Sequence, residues 1–201
     1  MNKNRLEAFS DGVIAIIITI MVLEIKVPHE VSVWSILNLA PIFLSYLISF
    51  IYIGIYWNNH HHLFSTVQRV NGRVLWANLH LLFWLSLIPF ASGWMGENQF
   101  ENLTVTFYGL ILFFTAVAYY FLTLSLVKNH GKESILSKAI GNKNKERVSL
   151  FLYLFATPIS IWYPYLAFGI YTVVAIIWLY PDIRIEKALE KHTPLKESLN
   201  K

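Results

Sequence analysis

Apolar residues in this chain run in stretches close to the length of a membrane crossing, and no other feature limits its fold as strongly. A bilayer core about 30 Å thick takes about 20 helical residues to span. Stretches of that size cover about Leu6 to Ile25, Val33 to Trp57, Val74 to Trp94 and Leu103 to Val127. The stretch from Val148 to Tyr180 is too long for one crossing. Proline ends helices and restrains the residue before it. A turn at Trp162-Tyr163-Pro164 therefore divides this stretch into a fifth and a sixth helix, with Pro158 kinking the fifth. Composition agrees: 56% of the 201 residues are hydrophobic and only 14% are charged, where a soluble domain carries about 25% charge. So little charge cannot cover a globular surface, which excludes soluble and disordered classes. The chain has no cysteine, which excludes disulfide scaffolds, thiol nucleophiles and Cys-ligated metals.

The first stretch does not read as a cleaved signal peptide, because Glu7 and Asp11 stand where a basic region belongs and no small-residue cleavage site follows. Lysine and arginine in short loops favour the cytoplasm. With six crossings, one side carries Lys3, Arg5, Arg69, Arg73, the six basic residues from Lys128 to Arg147 and the five from Arg184 to Lys201. The other side carries Lys26 alone, beside Glu24, Glu30, Glu97 and Glu101. Five crossings would put one of the lysine-rich segments outside, so the asymmetry favours six, with both termini cytoplasmic. The net charge of +4 is then a topology signal rather than a nucleic-acid footprint. The expected fold is an all-α integral membrane protein of six transmembrane helices, a single repeat, in the cell membrane. Residues 1–180 form the transmembrane domain and residues 181–201 a short cytoplasmic tail. Trp34, Trp57, Trp94, Trp162 and Trp178 fall at predicted segment ends, the headgroup zone that amphipathic rings prefer.

Ionisable groups at membrane depth are costly and mark function. Asp11 lies about 9 Å into the first helix at about 1.5 Å per residue, and Asn78 and His80 lie at similar depth in the third. Arg5 and Glu7 stand at the mouth of the first helix, and Trp57, Asn58, Asn59 and His60-His61-His62 at the inner end of the second. A hydrogen-bonded cluster of Arg5, Asp11, Trp57, a histidine and Asn78 would satisfy groups that lipid cannot. Such a cluster can hold a bundle together, relay protons or contact ions, and the residues alone leave these open. The three histidines do not read as a metal site. Consecutive helical positions point in different directions, and no carboxylate at i+4 spacing completes a ligand set. A water-facing run at the interface is expected instead.

The first helix carries one further pattern. At about 100° per residue, Gly12, Ile16, Thr19 and Leu23 fall within about 60° of one another. Arg5 and Phe9 extend the stripe inward and Ile20 borders it. Periodicity alone fits a packing face; it also fits a narrow pore gated by dewetting.

The string Arg5-Leu6-Glu7-Ala8-Phe9-Ser10-Asp11-Gly12, continued by Val13-Ile14-Ala15-Ile16, Thr19, Leu23 and Pro28, resembles the R-x-x-x-F-S-D-G signature of a known family. That family is the endosomal and lysosomal potassium channels (transmembrane protein 175) and their bacterial homologues. Weaker agreement continues through Trp57, His60 or His61, Phe64, Asn78 and Pro89-Phe90. The resemblance implies a homotetramer in which four copies of the first helix surround a central pore. It implies potassium passage, with sodium less favoured and no carbonyl filter, and no TVGYG-like loop occurs in the chain. Carried onto this sequence, Ile16 and Leu23 become apolar constrictions with Ile20 beside them, and Thr19 a hydroxyl ring near which potassium would dwell transiently. Arg5, Phe9, Ser10, Asp11 and Gly12, with Trp57, His60, His61, Asn78 and His80, become the network that holds the first helix.

No cofactor is expected, the bilayer and other copies of the chain are the expected partners, and no enzyme motif is evident. The competing reading is a proton-coupled secondary transporter using Asp11 and His80. Transporters show internal repeats and broken helices near the midplane, and proline and glycine interruptions are expected here only in the fifth and sixth helices.

Overall fold

The computed structural model describes residues 3–67, 69–131 and 144–179, and these are all-helical. Helix α1 (Lys3–Met21) ends in a tighter turn, Val22–Glu24. A short α2 (Val33–Leu37) follows, capped by Ser32, whose Oγ accepts the Ser35 amide at 3.1 Å. The other elements are α3 (Ala40–Ser65), α4 (Gly72–Ser86), α5 (Ile88–Glu97), α6 (Asn102–His130), α7 (Asn144–Ile159) and α8 (Pro164–Leu179). Four stretches are long and apolar enough to cross a membrane: Lys3–Glu24, Ala40–Ser65, Gly72–Glu97 and Asn102–His130. Helix α8 is apolar and shorter, at 16 residues, and α7 has the same length.

Local chemistry places most boundaries. Asn71 opens α4 by accepting the Val74 amide at 3.0 Å, one of the amides a helix start leaves unpaired. Pro164 opens α8 after the turn at residues 160–163, where proline's missing N–H costs nothing, and Pro158 lies inside α7.

Three expectations need correction. The third crossing is not continuous, because Pro89 interrupts it at Leu87. The Leu87 amide bonds Trp84 O at 3.2 Å in a tightened turn before α5 begins. Proline and glycine interruptions are therefore not confined to the last two helices. The second crossing does not begin at Val33. That segment is the separate α2, and the span is Ala40–Ser65, running eight residues past Trp57. Trp57 is thus inside a helix rather than at its end. The expected tail from residue 181 and most of the basic loop after Lys128 lie outside the described residues.

Helix α1 packs on α3, α4 and α5, while α6 packs on α4, α5, α7 and α8. Close approach of α3 and α5 depends on Gly96. A Cβ there would stand 2.7 Å from the Ile42 Cα and 2.4 Å from Ser45 Oγ. The core of these helices holds hydroxyls as well as hydrocarbon. Ser49 Oγ donates to Ser92 Oγ at 2.9 Å and lies 2.9 Å from the Tyr108 hydroxyl. Tyr153 donates to the Tyr52 hydroxyl at 3.0 Å, and Tyr52 in turn donates to the Tyr171 carbonyl. Each bond occupies groups that lipid or hydrocarbon would leave unpaired.

Candidate functional site

The sequence of α1 sorts its residues onto two faces. Leu6, Ser10, Ile14, Ile17 and Met21 are buried against the neighbouring helices. At about 100° per residue their mean direction lies roughly opposite the stripe of Phe9, Gly12, Ile16, Thr19, Ile20 and Leu23. Every member of that stripe is exposed in the single chain. Ile16 is 58% exposed, and Leu23, in the tighter turn that continues the helix, is 75% exposed. Such a run of bare apolar side chains marks a surface that meets lipid, a second protein surface or a dewetted space.

Thr19 is the stripe's one hydroxyl. It donates to the Ile16 and Ala15 carbonyls at 2.9 and 3.1 Å. Spending the proton on the helix backbone leaves the oxygen lone pairs facing out, where they can accept a cation. Beside the stripe an open groove of about 400 Å³ runs along Ile16, Ile20 and Glu24 on one wall and Ser86, Pro89 and Phe90 on the other. The interruption at Pro89 shapes that second wall.

At the N-terminal end of α1, the expected single cluster is two separate ones. The first is fully buried. Asn78 Nδ2 donates to Ser10 Oγ at 2.9 Å, and Ser10 donates to the Leu6 carbonyl at 2.8 Å. Asn78 Oδ1 can only accept, so His60 Nε2, 2.8 Å away, carries the proton and donates it. His60 also stacks on Phe64 at 4.5 Å between ring centroids. One asparagine on α4 thereby ties α1 to α3. The second cluster is exposed: the Trp57 indole donates to Asp11 Oδ1 at 3.0 Å, with His61 stacked on Trp57 at 6.3 Å.

Other expected members stand apart. Arg5 is exposed and forms no ion pair among the described residues. His80 is exposed and accepts the Trp84 indole N–H at 2.9 Å, away from Asp11 and Asn78. The histidine run is not a uniform water-facing strip, since His60 is 1% exposed, because successive helical positions turn by about 100°. Among the described residues, no three His, Asp or Glu side chains gather as a metal would require.

Lys3 adds a contact that sequence reasoning missed, donating from Nζ to the Phe64 carbonyl at 2.9 Å. A cation at a helix C-terminus opposes the local dipole. Only the basic character of the N-terminal segment hinted at it. At the other end of the bundle, Lys26 pairs with Glu97. That hydrogen bond and charge raise the Lys26 pKa above its ordinary value, so the ammonium stays charged beside Glu97 and Glu24.

Comparison with known proteins places this arrangement. The family model described as endosomal/lysosomal potassium channel TMEM175 matches residues 5–89, which contain most of α1, all of α3 and both polar clusters. A potassium channel of Chryseobacterium sp. strain P1-3 is 55% identical over 192 residues, covering 96% of this chain and 100% of that protein. The endosomal/lysosomal proton channel TMEM175 of Gallus gallus is 30% identical over 135 residues, 58% of this chain and 26% of that one. Among solved structures, that of a lysosomal potassium-selective channel TMEM175 homolog from Chamaesiphon minutus superposes with a TM-score of 0.78 at 33% identity. The match covers 88% of this chain and 96% of that one. Signature, fold and near-complete alignment with a bacterial relative lead to one conclusion: this chain is a membrane protein that belongs to the TMEM175 potassium channel family.

Proposed function

We propose that this protein is a potassium-permeable cation channel of the cell membrane, assembled from four copies of the chain around their α1 helices. The observation that carries the reading is the bare stripe on α1. A single chain leaves Ile16, Thr19, Ile20 and Leu23 uncovered on the face opposite the packed one. Four such faces enclose a path; one cannot. In the path, Ile16, Ile20 and Leu23 are apolar constrictions, and the outward lone pairs of Thr19 meet a transient potassium ion. Sodium, which holds its hydration shell more tightly, passes less readily. The number four rests on the family resemblance.

The same reading takes residues 1–180 as one channel domain of six crossings, with α7 and α8 as the fifth and sixth, and residues 181–201 as a cytoplasmic tail. The lysine and arginine asymmetry supports both termini on the cytoplasmic side. Ser10, Asn78 and His60, with Asp11 and Trp57, hold α1 in register against α3 and α4. The relatives are named as channels, and no catalytic role is proposed. The transporter reading draws on Asp11 and on the avian relative named a proton channel, yet Asp11 and His80 are engaged with different partners.

The test is flux through purified protein in liposomes. Passive potassium flux down its gradient, slower sodium flux and no requirement for a proton gradient are expected. No flux from a preparation shown to be oligomeric would overturn the channel reading. Potassium flux strictly coupled to protons and abolished by Asp11→Asn would establish the transporter instead.

A further inference from the structure

Glu24 follows Leu23 directly in the tighter turn that closes α1. Its side chain turns toward α5 and away from the stripe. A Cβ added at Gly93 would stand 3.0 Å from the Glu24 Oε2 and 3.2 Å from its Cγ, so glycine at that position is what gives the carboxylate its room. From there Glu24 lines the open groove that runs beside the stripe along Ile16 and Ile20.

The groove supplies nothing to hold this charge. Pro89 has no N–H, and Ile16, Ile20 and Phe90 offer only apolar side chains. Ser86 donates its hydroxyl proton to the Phe83 carbonyl at 2.7 Å. Lys26 is bonded to Glu97 and feels Glu24 only through space. Among the described residues, Glu24 makes no ion pair and accepts no hydrogen bond. A half-buried carboxylate left without a partner is costly, and water and mobile cations in the groove are what remain to meet it.

We propose that Glu24 concentrates cations at this mouth of the pore, one carboxylate per chain beside the Leu23 constriction, and so sets the rate of cation entry. The inference rests on the channel reading. A carboxylate on the pore axis would hold an ion and delay it. One turned into the flanking groove acts through its field and leaves the path open. That field raises the local concentration of potassium and sodium alike, so it favours cations over anions and leaves the choice among cations to the constrictions. Glu97 is offset by Lys26, and Glu30 and Glu101 are exposed and outside the groove.

The test is potassium flux in liposomes at two ionic strengths. At about 10 mM the screening length is about 30 Å; at about 1 M, reached with a bulky impermeant salt, it is about 3 Å. Glu24→Gln keeps the shape and removes the charge. It is expected to lower flux roughly fivefold at low salt and by less than about twofold at high salt. Glu24→Asp is expected to keep most of the wild-type flux, and Glu101→Gln all of it. Unchanged low-salt flux in Glu24→Gln overturns the proposal, as does an equal loss at both ionic strengths, which marks a merely structural role. Failure of Glu24→Asp to restore flux, or an equal loss in Glu101→Gln, overturns it too. Absence of flux in the wild-type protein overturns the channel reading and this inference together, whereas wild-type flux that Glu24→Gln leaves unaltered overturns this inference alone.

Discussion

Asn78→Leu is expected to lower the melting temperature of the purified protein by about 5–15 °C, more than any other single change in the two polar clusters around Asp11 and Asn78. Asn78 is fully buried, and both ends of its amide are engaged, with Ser10 on α1 and His60 on α3. Leucine keeps the same branched skeleton of four side-chain heavy atoms, so the backbone and neighbours need adjust only to its bulkier methyl groups while the polar ledger changes outright. The His60 N–H loses its acceptor, and Ser10 loses a donor to its oxygen. A buried group stranded in this way costs about 1–3 kcal/mol. Hydrogen bonds between membrane helices average only about 0.6 kcal/mol where other partners are at hand. None is at hand here, because Ser10 is 0% and His60 1% exposed. The larger figure therefore governs, for a total of about 2–4 kcal/mol. A protein of this size shifts by about 2–4 °C per kcal/mol. Trp57→Phe, which removes the exposed bond to Asp11, is expected to shift melting by no more than about 2–3 °C. Intrinsic fluorescence in a thermal ramp measures both. Equal shifts for the two variants would contradict the assignment of Asn78 as the tie between helices.

Ile16→Ala and Leu23→Ala are expected to act on flux and hardly on melting. Their side chains are 58% and 75% exposed in the chain, so truncation opens no cavity in the core. In an oligomeric pore each substitution removes three carbons per chain from an apolar ring, at about 0.8 kcal/mol of apolar character per carbon. A fall of about 1.4 kcal/mol in the barrier to a hydrated ion is a tenfold change in rate. Cation flux in liposomes is expected to rise roughly tenfold or more, with the ratio of potassium to sodium falling toward one as the ring widens. Unchanged rate and ratio in both variants would place the constriction elsewhere.

How much of this was legible in the sequence varies by region, for physical reasons. The stripe on α1 follows from helical geometry alone, and the structure leaves bare the face on which the 100° rule puts Ile16, Thr19 and Leu23. The turn before Pro164 was legible because proline's constraint is local. The inner end of α3 was not. Asn58, Asn59 and three histidines read as a boundary, yet the helix continues to Ser65. Asn59 bonds its own helix at Ile55, and His60 finds Asn78 eighteen residues away. Only tertiary pairing makes those residues compatible with a helix interior, and no local pattern encodes it. The same holds for the hydroxyls of Ser49, Tyr52, Tyr108 and Tyr153, whose partners lie 43 to 119 residues off. The division of the inner layer into a buried and an exposed cluster was hidden likewise, since depth along an axis says nothing of the direction a side chain takes.

The absence of cysteine makes the central claim directly measurable. Single cysteines at Ile16, Thr19 and Leu23 can be compared with one at Ile17, 4% exposed on the packed face of α1, and one at Phe121, 50% exposed on α6. A positively charged, water-soluble thiol reagent is applied while potassium flux is recorded. A pore lined by the α1 stripe predicts that Thr19→Cys and Leu23→Cys lose most of their flux on modification, while Ile17→Cys and Phe121→Cys keep theirs. Confirmed labelling at Thr19→Cys and Leu23→Cys with flux undiminished, or equal block through Phe121→Cys, would contradict it.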